Sequence, residues 1–440
     1  MLTFNTGQPV KRFPPGFIWG VSTSAFQIEG ALTEGGRGPS IWDRYCAAPG
    51  RIARGETAGI ACDHYHRVDE DLALLADLGV DAYRFSIAWP RVQPAGQGAA
   101  NAAGLDFYER LVDGLLARGI EPLPTLYHWD LPQALQDEGG WLNRATARRF
   151  ADFVQLVVRR LGDRVPRWIT HNETFEHSVF GHALGVHAPG LELGLGLFPV
   201  VHHLLLSHGL AVQALRAMAP AAQVGIAQSL APARPASEAA ADVEAAALLD
   251  SLHLGLHIEP LLWGRYPELP MVDPAVVQAG DLQTIAQPLD FLGINFYNAN
   301  IVRAAPPDAP VPIVEAEPPA GVERTDMGWP VLPESFTEAL VGLKARFGER
   351  LPPILITENG AALPEQRQVA YLESHLQALH RAIEAGVDVR GYCAWSLLDN
   401  FEWAEGYRPR FGLVHVDFAT QRRTPKASYR WYRELIAAQR

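Results

Sequence analysis

Short runs of apolar, β-prone residues recur eight times along this chain, near residues 17–22, 82–87, 121–126, 168–171, 224–227, 291–295, 354–357 and 391–394. Between several of them lie amphipathic stretches with helical spacing, at 69–78, 105–118, 145–160 and 367–385. Strands that read as continuously apolar and alternate with helices belong to a parallel sheet covered on its outer face. Eight such units fit a closed (β/α)8 TIM barrel, with residues 1–440 as one catalytic domain. A doubly wound open sheet is the competing arrangement. It normally has fewer strands and a glycine-rich phosphate loop, and the sequence carries no such loop. Two segments are loop-like: 230–241 is rich in small residues and 304–320 in Pro and Ala. Each follows an expected strand and so reads as a βα insertion at the catalytic face, with a mobile surface loop as the alternative.

Composition narrows the functional classes. A net charge of −12 gives no electrostatic attraction to nucleic acid or to an anionic membrane. Three widely spaced cysteines, Cys46, Cys62 and Cys393, form neither a disulfide framework nor a zinc motif. Residues 1–10 lack the charged and apolar halves of a secretory signal, and no apolar run reads as long enough to span a bilayer. The expectation is a soluble cytoplasmic enzyme, its oligomeric state left open. Eleven tryptophans supply flat apolar faces of the kind that stack on sugar rings, although core packing uses them too.

The chemistry sits directly after the strands. In a βα barrel every strand C-terminus points to one face, where the active site is built. There the chain places Gln27, Arg84, His128 with Trp129, Asn172 with Glu173, Asn295 with Tyr297, Glu358 with Asn359, and Trp395. A single acid at the end of an apolar strand is more often a salt-bridge partner. Two of them, from strands 4 and 7, can face one another across the barrel mouth. Cleaving a glycosidic bond needs such a pair, one acid to protonate the leaving oxygen and one carboxylate to meet the oxocarbenium-like carbon.

These stretches resemble the family 1 glycoside hydrolases, the β-glucosidase family, over almost the whole chain. The resemblance is carried by Phe17-Ile-Trp-Gly-Val-Ser-Thr-Ser-Ala-Phe-Gln-Ile-Glu-Gly30, Tyr83-Arg-Phe-Ser-Ile-Ala-Trp-Pro-Arg91, Leu126-Tyr-His-Trp-Asp-Leu-Pro132, Ile356-Thr-Glu-Asn-Gly360 and Trp395-Ser-Leu-Leu-Asp-Asn-Phe-Glu-Trp403. It implies a retaining β-glycosidase that needs no cofactor or metal and whose partner is a small glycoside or oligosaccharide. Glu358 would be the nucleophile, kept ionised by Arg84 and the Tyr297 hydroxyl. Glu173 would be the acid/base, its pKa raised by the Glu358 charge. Asn172 and Asn295 would support catalysis. Gln27, His128, Trp129, Asn172, Glu402, Trp403 and Phe411 would form the sugar pocket, with Trp395 as its floor and Trp329 at the aglycone entrance. A carboxylate at Glu402 would repel a phosphate, which points to unphosphorylated glycosides. The resemblance also implies a cis Trp395–Ser396 peptide.

One departure stands beside the acid/base. The family usually writes Thr-Phe-Asn-Glu-Pro, and this chain has Thr170-His-Asn-Glu-Thr174. The change adds a backbone N–H and some freedom after Glu173. His171 is expected to be buried and to face away from substrate. His253 and His257, four apart, could in principle bind a metal but lack a third ligand. His202, His203 and His208 read as packing residues, and the Asp63-His-Tyr-His66 stretch as a helix start. Two rivals share this reading of the residues: a transglycosidase using the same intermediate, and a non-catalytic glycan-binding protein, which normally loses one carboxylate.

Overall fold

The computed structural model describes residues 11–306, 309 and 311–440. The expectation for residues 1–10 lies outside the described residues, as do positions 307, 308 and 310 of the 304–320 segment. Eight parallel strands close into a barrel: β1 (Ile18–Ser22), β2 (Ala82–Ser86), β3 (Glu121–Tyr127), β4 (Arg167–Asn172), β5 (Gln223–Ser229), β6 (Phe291–Asn295), β7 (Ile354–Asn359) and β8 (Val389–Trp395). Each pairs with its neighbours in sequence, and β1 pairs with β8 through Ser22 opposite Trp395. A long helix follows every strand: α1 (His64–Leu78), α2 (Ala102–Leu116), α3 (Ala145–Leu161), α4 (Phe198–Met218), α5 (Ala240–Asp250), α6 (Pro333–Phe347), α7 (Glu365–Glu384) and α8 (Ala427–Gln439). This is the expected (β/α)8 barrel.

The sequence pattern explains the helices' seating. In α3 the buried residues Phe150, Phe153, Val154, Val157, Val158 and Leu161 recur at three- and four-residue spacing, while Arg148, Asp152 and Arg159 are exposed. That stripe faces the core and α4, and Phe153 stacks on Trp89 with ring centroids 5.2 Å apart. Helix α1 ends at Gly79, whose φ of 76° closes the helix in the left-handed conformation glycine tolerates.

Two expectations need correcting. The stretch Gly194–Met218 is long and apolar enough to cross a bilayer, contrary to the reading that no run is, but 78% of its most apolar window is buried inside the protein. Its apolarity is spent on packing against the barrel and α3, as a helix buried on most sides requires. The segments 230–241 and 304–320 do follow β5 and β6, yet they are not simply loops. Ala233–Pro235 and Ile313–Glu315 flank Asn300–Ala304 in a three-stranded sheet. The middle strand, Asn-Ile-Val-Arg-Ala, is short and lacks apolar alternation, and its partners are three residues each.

The barrel interior is filled below its mouth by Leu123, Ile169, Ala227, Phe291 and Leu355, with Ile18 against them. Such a layer makes the barrel a packed core and not a pore, so function is confined to its mouth. Near the mouth the register slips, between Ile169 and Asn172 on β4 and between Ile356 and Glu358 on β7. An irregularity of this kind re-aims the side chains beyond it, and those side chains are Glu173 and Glu358.

Candidate active site

Glu358 ends up in a cationic, hydrogen-bonding niche. Arg84, fully buried on β2, donates from Nη1 to Glu358 Oε1 at 2.5 Å, and the Tyr297 hydroxyl donates to Oε2 at 2.6 Å. The guanidinium also donates to Thr125 Oγ1 at 3.1 Å, the Thr357 carbonyl at 3.1 Å and Asn172 Oδ1 at 2.6 Å. A buried cation bonded through each of its nitrogens is fixed in orientation, and removing its carboxylate partner would leave an uncompensated charge. Gly360 follows at once, and there a Cβ would lie 1.9 Å from the Trp395 carbonyl oxygen. Only glycine lets the ends of β7 and β8 approach this closely.

Glu173 sits in a different environment. Its backbone is left-handed, with φ 47°, an unfavourable conformation for a non-glycine residue that functional sites tolerate. The Glu173 N–H donates to the Ala227 carbonyl on β5 at 2.8 Å, which holds that turn. Its Oε1 accepts from Asn295 Nδ2 at 2.8 Å, and no cation touches it among the described residues. Asn295 Nδ2 also donates to Asn172 Oδ1 at 3.0 Å, the same oxygen that accepts from Arg84, so a continuous chain of hydrogen bonds runs from Glu173 through Asn295, Asn172 and Arg84 to Glu358. Thr357 Oγ1 donates to Asn295 Oδ1 at 2.6 Å and so fixes which way the amide points.

The electrostatics separate the two acids. Burial pushes Glu173 well above the usual carboxylate range, and the Glu176 and Glu358 charges push it further. The expected Glu358 charge is one of the causes, behind burial and Glu176. Burial raises Glu358 as well, but Arg84 and Tyr297 oppose it, leaving Glu173 the more strongly raised of the two. Glu176, three residues on, is itself pushed up to about 7 by burial.

The expected sugar-binding residues, all but Asn172, line one cavity of about 340 Å³. Its walls include Gln27, His128, Trp129, Trp395, Glu402 and Trp403, and also Tyr297, Trp329 and Phe411. Gln27 donates to the Phe401 carbonyl at 3.0 Å and reaches Glu402 Oε2 at 3.4 Å, and Ser24 holds its oxygen at 2.6 Å. Asn172, its oxygen occupied by Arg84 and Asn295, turns its amino group to His128 Nε2 at 3.1 Å. Burial keeps His128 neutral by pushing its pKa well below the usual histidine value. Trp403 packs against Trp129 at 4.7 Å between ring centroids, and both have positive φ. Trp329 lies 5.4 Å from the Tyr297 ring. Asp399, bonded to Lys426 at 2.7 Å and to the Gly412 N–H at 3.0 Å, anchors the loop carrying Glu402 and Phe411. The Trp395–Ser396 peptide is cis, as expected. Glu402 is pushed up to about 8, by burial and then by the Glu358 charge, so it holds a proton more readily than the carboxylate expected from the sequence.

Several singled-out residues serve the fold instead. Asn359 turns away, donating to the Phe296 carbonyl at 2.7 Å and accepting from the Tyr392 hydroxyl at 2.8 Å. Glu29 and Arg91, at the ends of two recognised motifs, pair with each other at 2.8 Å beneath the surface. His171 is buried against Ser207 at 2.8 Å, and His208 against Thr170 at 2.7 Å. The His253/His257 pair has a clear occupation: His257 bonds Thr174 Oγ1 at 2.8 Å and His253 bonds Ser229 Oγ at 2.7 Å. Thr174 therefore does not loosen the chain after Glu173. Its added N–H donates to Gln228 Oε1 at 3.0 Å, tying the acid's turn to β5. Sequence reasoning missed Phe175, Glu176, Ser229, His253 and Asn298 as cavity residues. Glu176 was within reach, because three residues past Glu173 on a helical turn returns to the same face.

A buried carboxyl pair at the mouth of a parallel barrel, one braced by a cation and one not, beside an aromatic cavity of this size, defines a glycoside-cleaving barrel enzyme. The model for glycosyl hydrolase family 1 matches residues 10–440, and the chain belongs to that family. It is 46% identical to β-glucosidase A of Acetivibrio thermocellus, over 96% of this chain and 98% of that protein. It is 43% identical to a bifunctional β-D-glucosidase/β-D-fucosidase of Bifidobacterium breve, over 97% and 98%. Among solved structures, the β-glucosidase of Thermotoga maritima in complex with deoxynojirimycin superposes with a TM-score of 0.93 at 41% identity, covering 98% of this chain and 99% of that one.

Proposed function

We propose that this protein is a retaining β-glucosidase that releases terminal β-D-glucosyl residues, and related fucosyl or galactosyl residues, from unphosphorylated glycosides. The observation that carries the reading is the buried carboxyl pair at the barrel mouth, in which Asn295 holds Glu173 while only Glu358 contacts Arg84 and Tyr297. Glu358 attacks the anomeric carbon as Glu173 protonates the leaving oxygen, giving a covalent glycosyl-enzyme. Esterification removes the Glu358 charge, the Glu173 pKa falls, and Glu173 then takes the proton from an attacking water. The cavity lining supports unphosphorylated substrates, since it contains five glutamates and, among its described residues, no lysine or arginine to hold a phosphate. The relatives' names support the glucosyl preference, and the B. breve protein's name supports fucosyl tolerance.

The test is hydrolysis of an aryl β-glucoside followed by NMR from the first seconds. The β-anomer of glucose is expected first, with the α-anomer appearing only as mutarotation proceeds. Initial α-glucose would overturn retention, and no turnover of any aryl β-glycoside by folded protein would overturn the activity.

A further inference from the structure

The glycone end of the cavity, around Gln27, Glu402 and Trp403, follows β1 and β8. The opposite end follows β4, β5 and β6 and is lined by Phe175, Glu176, Phe180, Ser229, His253 and Asn298. Because Glu173 supplies the leaving group's proton from the end of β4, the leaving group lies towards that second end. There Glu176 is only half-buried and lines the cavity. Ser229 donates to Glu176 Oε2 at 2.7 Å and also contacts His253 Nε2 at 2.7 Å. His253 is neutral, pushed down to about 4 by burial, so the cluster holds the carboxylate in place without cancelling its charge. Beside it Phe175 and His253, their rings packed together with centroids 4.3 Å apart, also line the cavity. No lysine or arginine lines the cavity among the described residues; Arg84 is committed to Glu358, and Arg408 is paired with Glu405.

A carboxylate oriented by a neutral relay, beside aromatic side chains and with no lysine or arginine among the described lining residues, is a receptor for an ammonium group. We infer that Glu176, positioned by Ser229 and His253, makes the leaving-group end of the cavity a cation-selective subsite, favouring β-glycosides whose aglycone carries a protonated amine. This rests on the glycosidase reading above and assigns a substrate class to the same cavity.

The test compares kcat/KM for 4-(2-aminoethyl)phenyl and 4-(2-hydroxyethyl)phenyl β-glucosides, nearly equal in size and in phenol acidity and differing in charge. The buffer is held above pH 7, where Glu176, with its pKa near about 7, is ionised. The wild-type chain is expected to prefer the ammonium glycoside about fivefold or more, as a partly shielded ion pair allows. Glu176→Gln should bring the ratio close to one while still hydrolysing the neutral glycoside. Any effect of Glu176 on Glu173 cancels in the ratio. A wild-type ratio at or below one overturns the inference, and so does a preference that survives Glu176→Gln. Should that variant not fold, Ser229→Ala must lower the ratio for the inference to stand. Turnover of neither glycoside by the wild type would instead overturn the activity itself.

Discussion

Glu173 and Glu358 occupy equivalent places, at the ends of β4 and β7, and both are buried, yet their surroundings differ in kind. Around Glu358 the barrel has assembled a guanidinium at 2.5 Å and a phenol at 2.6 Å. Around Glu173 it has assembled one amide and a second acid three residues further on. Burial alone would raise both acids and make them interchangeable. Counter-charge on one side and like charge on the other divide the labour, leaving one group to hold a proton and the other to give up its own more readily.

The comparison breaks most visibly if the proton donor is removed. Glu173→Ala should lower kcat/KM by roughly 10²–10⁴-fold for glycosides with poor leaving groups, and much less for activated aryl glycosides. Added azide should restore turnover and yield a β-glycosyl azide, since azide replaces the water that Glu173 would have activated. An α-azide would reverse the two roles.

A smaller effect sharpens the same contrast. Hydrolysis needs Glu173 protonated, so activity falls as pH rises through its pKa. Glu176 ionises near about 7, and its charge then helps Glu173 retain the proton. Glu176→Gln deletes that charge, so the alkaline limb of kcat/KM should move to lower pH. The loss at mildly alkaline pH should be roughly tenfold or less, the size of one like-charge interaction across a solvated cavity. An alkaline limb that moves upward would show that Glu176 does not act on Glu173 by its charge.

How much of this was visible in the sequence differs between the two halves of the cavity. The barrel was readable because strands buried on both faces are continuously apolar and their ends carry the polar residues. Glu358, Arg84 and the Glu402–Trp403 loop lie in compact motifs whose residues work where they stand. The leaving-group end has no such motif. Ser229 meets Glu176 from 53 positions away, and His253 reaches Ser229 from the π-helical turn Ser251–Gly255, a bulge without a sequence signature. Thr174 looked like a loosening of the acid's loop because Gln228 and His257, which restrain it, are close only in the folded barrel. Motif membership also misled in one direction. Asn359, Glu29 and Arg91 belong to the recognised stretches but brace the scaffold.

The division of labour can be read from a single covalent bond. A 2-deoxy-2-fluoro-β-glucosyl fluoride carries an electron-withdrawing group that slows both steps at the oxocarbenium-like transition state. Its fluoride leaves without help from an acid, so the glycosyl-enzyme accumulates. Peptide mapping by mass spectrometry after inactivation should place the fluoroglucosyl ester on Glu358. An ester on Glu173, or continued β-glucosidase turnover with no ester on either glutamate, would contradict the account.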